Sequence, residues 1–143
     1  MILLVEDNDN DQFLMFRALR ARNISESDVL VVRDGAETLE YLRCAGRFAE
    51  RDPNLPPSLI LLDLKIPKVS GLELLHCIRS DQRMRLVPIV VLTTSTQQED
   101  VVAAYEAGCN SYVCKAVDFT KFVESVGTII DYWLHLNTPA PDL

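Results

Sequence analysis

Four places in this chain set a chemically useful side chain directly after a short apolar run. Ile2-Leu3-Leu4-Val5 runs into Glu6-Asp7, and Leu59-Ile60-Leu61-Leu62 runs into Asp63. Val90-Val91-Leu92 runs into Thr93, and Tyr112-Val113-Cys114 into Lys115. Three carboxylates brought together repel one another unless a cation joins them. Hard carboxylate oxygens without histidine or thiolate favour magnesium, or manganese, over zinc. A lysine ammonium beside them is a fixed positive partner, and a threonine hydroxyl can donate to an anionic oxygen. Such a set suits a phosphoryl group carried on a carboxylate. One aspartate is the nucleophile, and the metal and the lysine neutralise the transferring group.

Each residue alone has a plainer reading. An acid at a strand end is commonly a turn residue or a helix cap. A lysine there is commonly solvated, and a threonine there commonly caps. The joint reading requires a fold that delivers all four strand ends to one edge.

The patterning calls for such a fold. Short runs of leucine and β-branched residues read as strands buried on both faces. The runs before Glu6 and Asp63 are of this kind, and strands are read at residues 1–6, 28–33, 58–63, 88–93 and 110–114. Helical spacing separates them. Residues 9–22 carry Phe13, Phe16 (or Met15) and Leu19, residues 35–45 carry Ala36, Leu39 and Leu42, and residues 71–79 carry Leu72, Leu75 and Ile78. Thr96-Gln-Gln-Glu99 matches a capping box and opens a helix through Ala107, where Gly108 fits the stop. Asp118 caps a last helix running to about Leu136. The stretch 46–57, with Pro53, Pro56 and Pro57, reads as a long loop. Residues 1–137 read as one domain and 138–143 as a loose tail.

Strict alternation of strand and helix implies a parallel sheet covered on both faces. Right-handed crossovers make it a three-layer α/β sandwich. The expected flavodoxin-like order is 2-1-3-4-5, with its switch point between strands 1 and 3. Those are the strands that end in Glu6-Asp7 and Asp63.

Composition removes other classes. The formal net charge of −7 and the lack of any basic run argue against a nucleic-acid surface. No apolar stretch approaches the ~20 residues of a membrane helix, and no export signal precedes the first strand. Cys44, Cys77, Cys109 and Cys114 show neither zinc spacing nor a CxxC pair. They read as reduced, buried thiols of a cytoplasmic protein.

Taken together, the segments resemble the response-regulator receiver domains of two-component signalling over nearly the whole chain. They are Leu4-Val5-Glu6-Asp7, Leu61-Leu62-Asp63-Leu64 with Pro67 and Gly71, Val91-Leu92-Thr93-Thr94, Ala107-Gly108 and Tyr112-Val113-Cys114-Lys115. The spacings from Asp63 to Thr93 and to Lys115 also fit. The resemblance implies that Asp63 is the phosphoacceptor, with Glu6, Asp7 and the backbone carbonyl of Lys65 completing a magnesium site. It implies that Lys115 pairs with phosphoryl oxygens, and that Thr93 and Tyr112 are the switch pair, coupled to the surface formed by the fourth helix, the fifth strand and the last helix. Tyr41-Leu42-Arg43, the Pro-rich loop and Ile130-Asp131-Tyr132-Trp133-Leu134 are similar to the stand-alone regulators of cyanobacterial phytochromes, which lack an output domain. The implied partner is a sensor histidine kinase of that type.

Two features depart from the family pattern. Ala116 follows the lysine where the family usually has a proline after a cis bond, so a trans bond is expected. Lys65 is basic where many receivers carry Asn or Met. Lys65 and, on the opposite rim, Ser95 are the expected tuners of phosphoryl hydrolysis. The last helix is more apolar near its end than one buried face needs, so Trp133 and Leu136 are expected at a homodimer contact.

Three other readings compete with a phosphorylation switch. An aspartyl-phosphate phosphatase needs a second acid two residues after its nucleophile, and Lys65 stands there. A flavin-binding protein needs a phosphate loop after strand 1, where Glu6-Asp7-Asn8-Asp9 would repel phosphate. A receiver-like scaffold working without phosphorylation draws on Lys115-Ala116.

Overall fold

The computed structural model describes residues 1–141. Its sheet is parallel, in the order β2-β1-β3-β4-β5. The strands are β1 (Ile2–Val5), β2 (Val29–Val32), β3 (Leu59–Leu62), β4 (Ile89–Thr93) and β5 (Ser111–Cys114). The helices are α1 (Asp9–Ala21), α2 (Gly35–Arg43), α3 (Gly71–Ser80), α4 (Gln98–Ala107) and α5 (Phe119–Ile130). This is the expected flavodoxin-like architecture.

The apolar strands divide by parity, as a pleated sheet demands. Leu3, Val5, Ile60, Leu62, Ile89 and Val91 face α2, α3 and α4 in one core. Ile2, Leu4, Leu59, Leu61, Val90 and Leu92 face α1 and α5 in the other. Neither face of β1, β3 or β4 meets solvent, which is why their sequences do not alternate.

Five local expectations are corrected. On α1 the buried stripe is Met15, Ala18 and Leu19, while Phe13 is 64% exposed and Phe16 half-buried. Phe13 stands two residues from Met15, about 200° around the helix. On α2, Thr38 and Tyr41 are buried with Leu42, while Ala36 and Leu39 are only half-buried. Thr38 can be interior because its hydroxyl donates to the Asp34 carbonyl at 2.8 Å.

The Thr96 capping box does not form, because α4 starts at Gln98 with no side-chain cap. Buried Ser95 holds this turn instead: its hydroxyl donates to Asp100 and accepts from the Gln97 N–H. The long loop contains a 3-10 turn at Gly46–Phe48. Phe48 is buried edge-on to Tyr41, with centroids 5.5 Å apart, and Arg51 lies 4.0 Å over the same tyrosine ring. Of the cysteines, all free, only Cys109 is buried; Cys77 and Cys114 are exposed.

Other boundaries hold. Asp118 caps α5 by accepting from the Lys121 N–H. Gly108 ends α4 with φ 106°, donating to the Ala104 and Tyr105 carbonyls. Beyond Ile130 the last helix widens into a π-helical stretch, Asp131–Leu136. Trp133 and Leu134 there are half-buried and line a groove of about 810 Å³ with the segments that lead into β3 and β4. No described helix is long and apolar enough to cross a membrane. The tail is described only to Pro141 and is exposed to that point; Asp142 and Leu143 lie outside the described residues.

Candidate functional site

Parallel register brings the strand ends together. Val5 pairs with Val32 on one side and Leu62 on the other, and Thr93 pairs with Cys114. The ladder continues one step into the site. Glu6 N–H donates to the Val32 carbonyl at 3.0 Å, Asp63 N–H to the Val5 carbonyl at 3.1 Å and Lys115 N–H to the Thr93 carbonyl at 2.7 Å. The reactive side chains therefore leave backbone that is still held by the sheet.

The β1–α1 loop is pinned from β2. Arg33 donates to the Asp7 carbonyl at 2.8 Å and to the Asp9 carboxylate at 2.7 Å. Asn8 caps α1 by accepting from the Asp11 N–H, and its own N–H donates to Glu6 Oε1 at 3.1 Å.

Lys115 is the centre of the side-chain geometry. Its Nζ donates to Glu6 Oε2 at 2.7 Å, Asp63 Oδ2 at 2.8 Å and Asp11 Oδ2 at 2.8 Å. The lysine side chain is 6% exposed. Glu6 and Asp63 are buried beside it. The other oxygen of Asp63 accepts from the Lys65 N–H at 3.0 Å.

The electrostatics follow from burial. Desolvation pushes the Glu6 carboxyl above the usual carboxylate range, and the Lys115 hydrogen bond and charge offset only part of this. Burial alone would lower Lys115, but its bonds to Asp11, Asp63 and Glu6 outweigh it and hold the ammonium above an ordinary lysine. The site stays acidic, since one ammonium faces Glu6, Asp11 and Asp63, with Asp7 adjacent.

That excess charge fits a divalent cation. Carboxylate oxygens of Glu6, Asp7 and Asp63 all lie within 4.8 Å of one another. The donor set is oxygen only, as magnesium and manganese prefer.

The remaining expected residues differ in burial and in their partners. Thr93 is fully buried, and its Oγ1 has no hydrogen-bond partner within the protein. Tyr112 is half-buried, and its hydroxyl donates to the Ser95 carbonyl at 3.0 Å. The Ser95 side chain is committed to the α4 turn. Lys65 is exposed. Every described peptide bond is trans, Lys115–Ala116 included. Trp133 and Leu136 sit on the helix end away from the site, with Leu136 74% exposed.

Sequence reasoning missed Asp11. A signal was present: Asn8 followed three residues later by an acid has the spacing of an N-terminal cap. It places Asp11 in the first turn after β1, at the same edge as Lys115.

Comparison with known proteins agrees with this geometry. A family model described as the response regulator receiver domain matches residues 2–127. The probable methanogenesis regulatory protein FilR2 of Methanothrix harundinacea is 39% identical over 99% of this chain and 88% of its own. Response regulator Rcp1 of Synechocystis is 36% identical over 96% of this chain and 91% of its own. Its Mn(2+)-bound crystal structure superposes with a TM-score of 0.87 at 35% identity, covering 98% of each chain. The phosphorylated cyanobacterial phytochrome response regulator RcpA also gives 0.87 at 37% identity, covering 98% of this chain and 97% of its own. With the acid cluster, the lysine and the sheet order in place, this chain belongs to the response regulator receiver domain family.

Proposed function

We propose that the chain is a phosphorylation switch whose acceptor is Asp63. One observation carries this reading: a buried lysine ammonium 2.8 Å from the Asp63 carboxylate, in a cluster that keeps excess negative charge. An Asp63 oxygen attacks the phosphorus of a phosphohistidine on a sensor histidine kinase. The O–P bond forms as the P–N bond breaks, and the imidazole nitrogen leaves with the electron pair and takes a proton. Glu6, Asp7, Asp63 and the Lys65 backbone carbonyl would hold magnesium or manganese, which supplies charge neutralisation on the phosphoryl oxygens. Lys115 neutralises the opposite flank.

The switch follows from satisfying the orphaned hydroxyl. Thr93 Oγ1 donates to a phosphoryl oxygen, Tyr112 gives up its bond to the Ser95 carbonyl and turns inward, and the α4-β5-α5 face changes. Lys65 tunes hydrolysis from the exposed rim, and Ser95 does so through the tyrosine it holds. The protein is a signalling phosphoacceptor that catalyses only its own transfer and slow dephosphorylation. Against the scaffold reading we set the Lys115 ammonium, which with a trans bond to Ala116 lies 2.8 Å from the Asp63 carboxylate.

The partner we assign is a phytochrome-type histidine kinase, on the likeness to RcpA and Rcp1. Four free thiols suit the cytoplasm, and residues 1–137 act as one receiver unit. We test the function by transfer of labelled phosphoryl from such a kinase in magnesium. Label is expected on the wild-type chain and absent from Asp63→Asn; label on the variant would overturn the assignment.

A homodimer through the end of the last helix completes the reading. The double variant Trp133→Ala, Leu136→Ala is expected to sediment as a monomer at concentrations where the wild type is dimeric. Unaltered sedimentation would remove this helix end from the interface.

A further inference from the structure

Asp11 has no part in the transfer chemistry, yet it takes one of the three N–H bonds of Lys115. We infer that Asp11 is a positioning residue, a fixed tether that holds the Lys115 ammonium in place while phosphoryl arrives on Asp63. The inference rests on Asp63 as acceptor.

An ammonium has three donors. Here Glu6, Asp63 and Asp11 take all three, at 2.7, 2.8 and 2.8 Å. Two of these acceptors belong to the cluster that can hold a cation. Asp63 changes further: once esterified it passes its charge to the phosphoryl group, and the donor that faced it turns to a phosphoryl oxygen. Asp11 is the one partner whose charge is neither consumed by transfer nor in that cluster. It stands on α1 rather than at a strand end, so the pull on the ammonium comes from an independent element.

The backbone beyond the lysine leaves the sheet, although half-buried Ala116 still packs against the core under α1 and α5. Lys115 is tied to β4 by its N–H, but Ala116 and Val117 lie outside any helix or strand, and Val117 is fully exposed. A side-chain tether from α1 restrains the ammonium itself, which the packing of this backbone does not reach.

The plainer role for Asp11 is an acid in the first turn of a helix, favourable to the helix dipole. Asp9 already fills that role with its side chain 82% exposed. Asp11 is only 28% exposed and is turned to the buried ammonium. Solvation and the dipole do not require that orientation.

The test is a double-mutant cycle read as the rate of phosphorylation by acetyl phosphate at saturating magnesium. Asp11→Asn is expected to slow the rate on the order of tenfold, as loss of a charge-assisted bond implies. In a Lys115→Ala background the same change is expected to have no further effect. A rate unchanged or faster in Asp11→Asn, or an equal loss in both backgrounds, would overturn the inference. A second arm reads Lys115 directly by ¹⁵N NMR of its side-chain ammonium. A slowly exchanging Nζ signal is expected in the wild type and its broadening in Asp11→Asn, and an unchanged signal would overturn the tether. If the wild type takes no phosphoryl at all, the acceptor assignment fails while this arm still decides the tether.

Discussion

Lys115→Ala is expected to lose about two orders of magnitude in phosphorylation rate and, without metal, about 3 kcal/mol of stability. The stability loss follows from what the lysine leaves behind. Its ammonium is the common partner of Glu6, Asp11 and Asp63, and two of those are buried. Removing one partner of a buried ion pair costs about 3–5 kcal/mol, because the other charge stays in the interior unpaired. Part of this is avoided if Glu6, already pushed up by burial, takes a proton, so the lower end applies. The rate loss follows from removing one of the two cations beside the transferring group. Urea unfolding with chelator and then with magnesium checks the stability claim. A lower midpoint is expected with chelator, and magnesium is expected to recover part of it, since a cation again joins the acids. An unaltered midpoint would contradict the account. The exposed pairs Arg20–Glu26 and Arg33–Asp9 set the contrast, since exposed pairs of this kind are worth about 0–1 kcal/mol.

Gly71→Ala is expected to damage both stability and the site through backbone. A Cβ at this position would stand 2.5 Å from the Leu64 Cα and 2.8 Å from the Asp63 carbonyl oxygen. Neither atom belongs to a flexible side chain, so the segment after Asp63 has to shift. That segment also supplies the Lys65 N–H that orients the Asp63 carboxylate, and it carries the Lys65 carbonyl we assign to the metal. Its contact with α3 is close because the Gly71 N–H donates to the Leu64 carbonyl at 3.2 Å. Overpacking of this kind costs about 1–3 kcal/mol. The expected result is a lowered melting temperature together with a several-fold weaker magnesium affinity, read by calorimetry. Full magnesium affinity in a destabilised variant would confine the role of Gly71 to packing.

The sheet was legible because its three inner strands are buried on both faces and each stops at a charge or a polar group. Ile2–Val5 and Leu59–Leu62 need no tertiary information to be found. The acids that follow them could be placed at one edge because parallel order determines which ends meet. Where the sequence misled, a second element made the decision. Phe13 has the right type for a core but the wrong angle on α1. The Thr96 capping box lost to Ser95, whose burial at the end of β4 depends on the packing of the whole turn. Asp11 went unseen because the contact that defines it spans from α1 to the end of β5. Local spacing gave its position on the helix, but only tertiary structure gives the ammonium that its carboxylate meets.

The central claim is that Asp63 takes a phosphoryl group with the help of the cluster around it. The most direct measurement is mass spectrometry of the intact protein treated with acetyl phosphate and magnesium, followed by borohydride reduction, which releases phosphate and leaves homoserine at the acylated aspartate, and peptide mapping of that homoserine. The account predicts a single phosphoryl per chain, located on Asp63 and absent when magnesium is chelated. A modification mapped to any other residue, or none on Asp63 in the presence of magnesium, would contradict it.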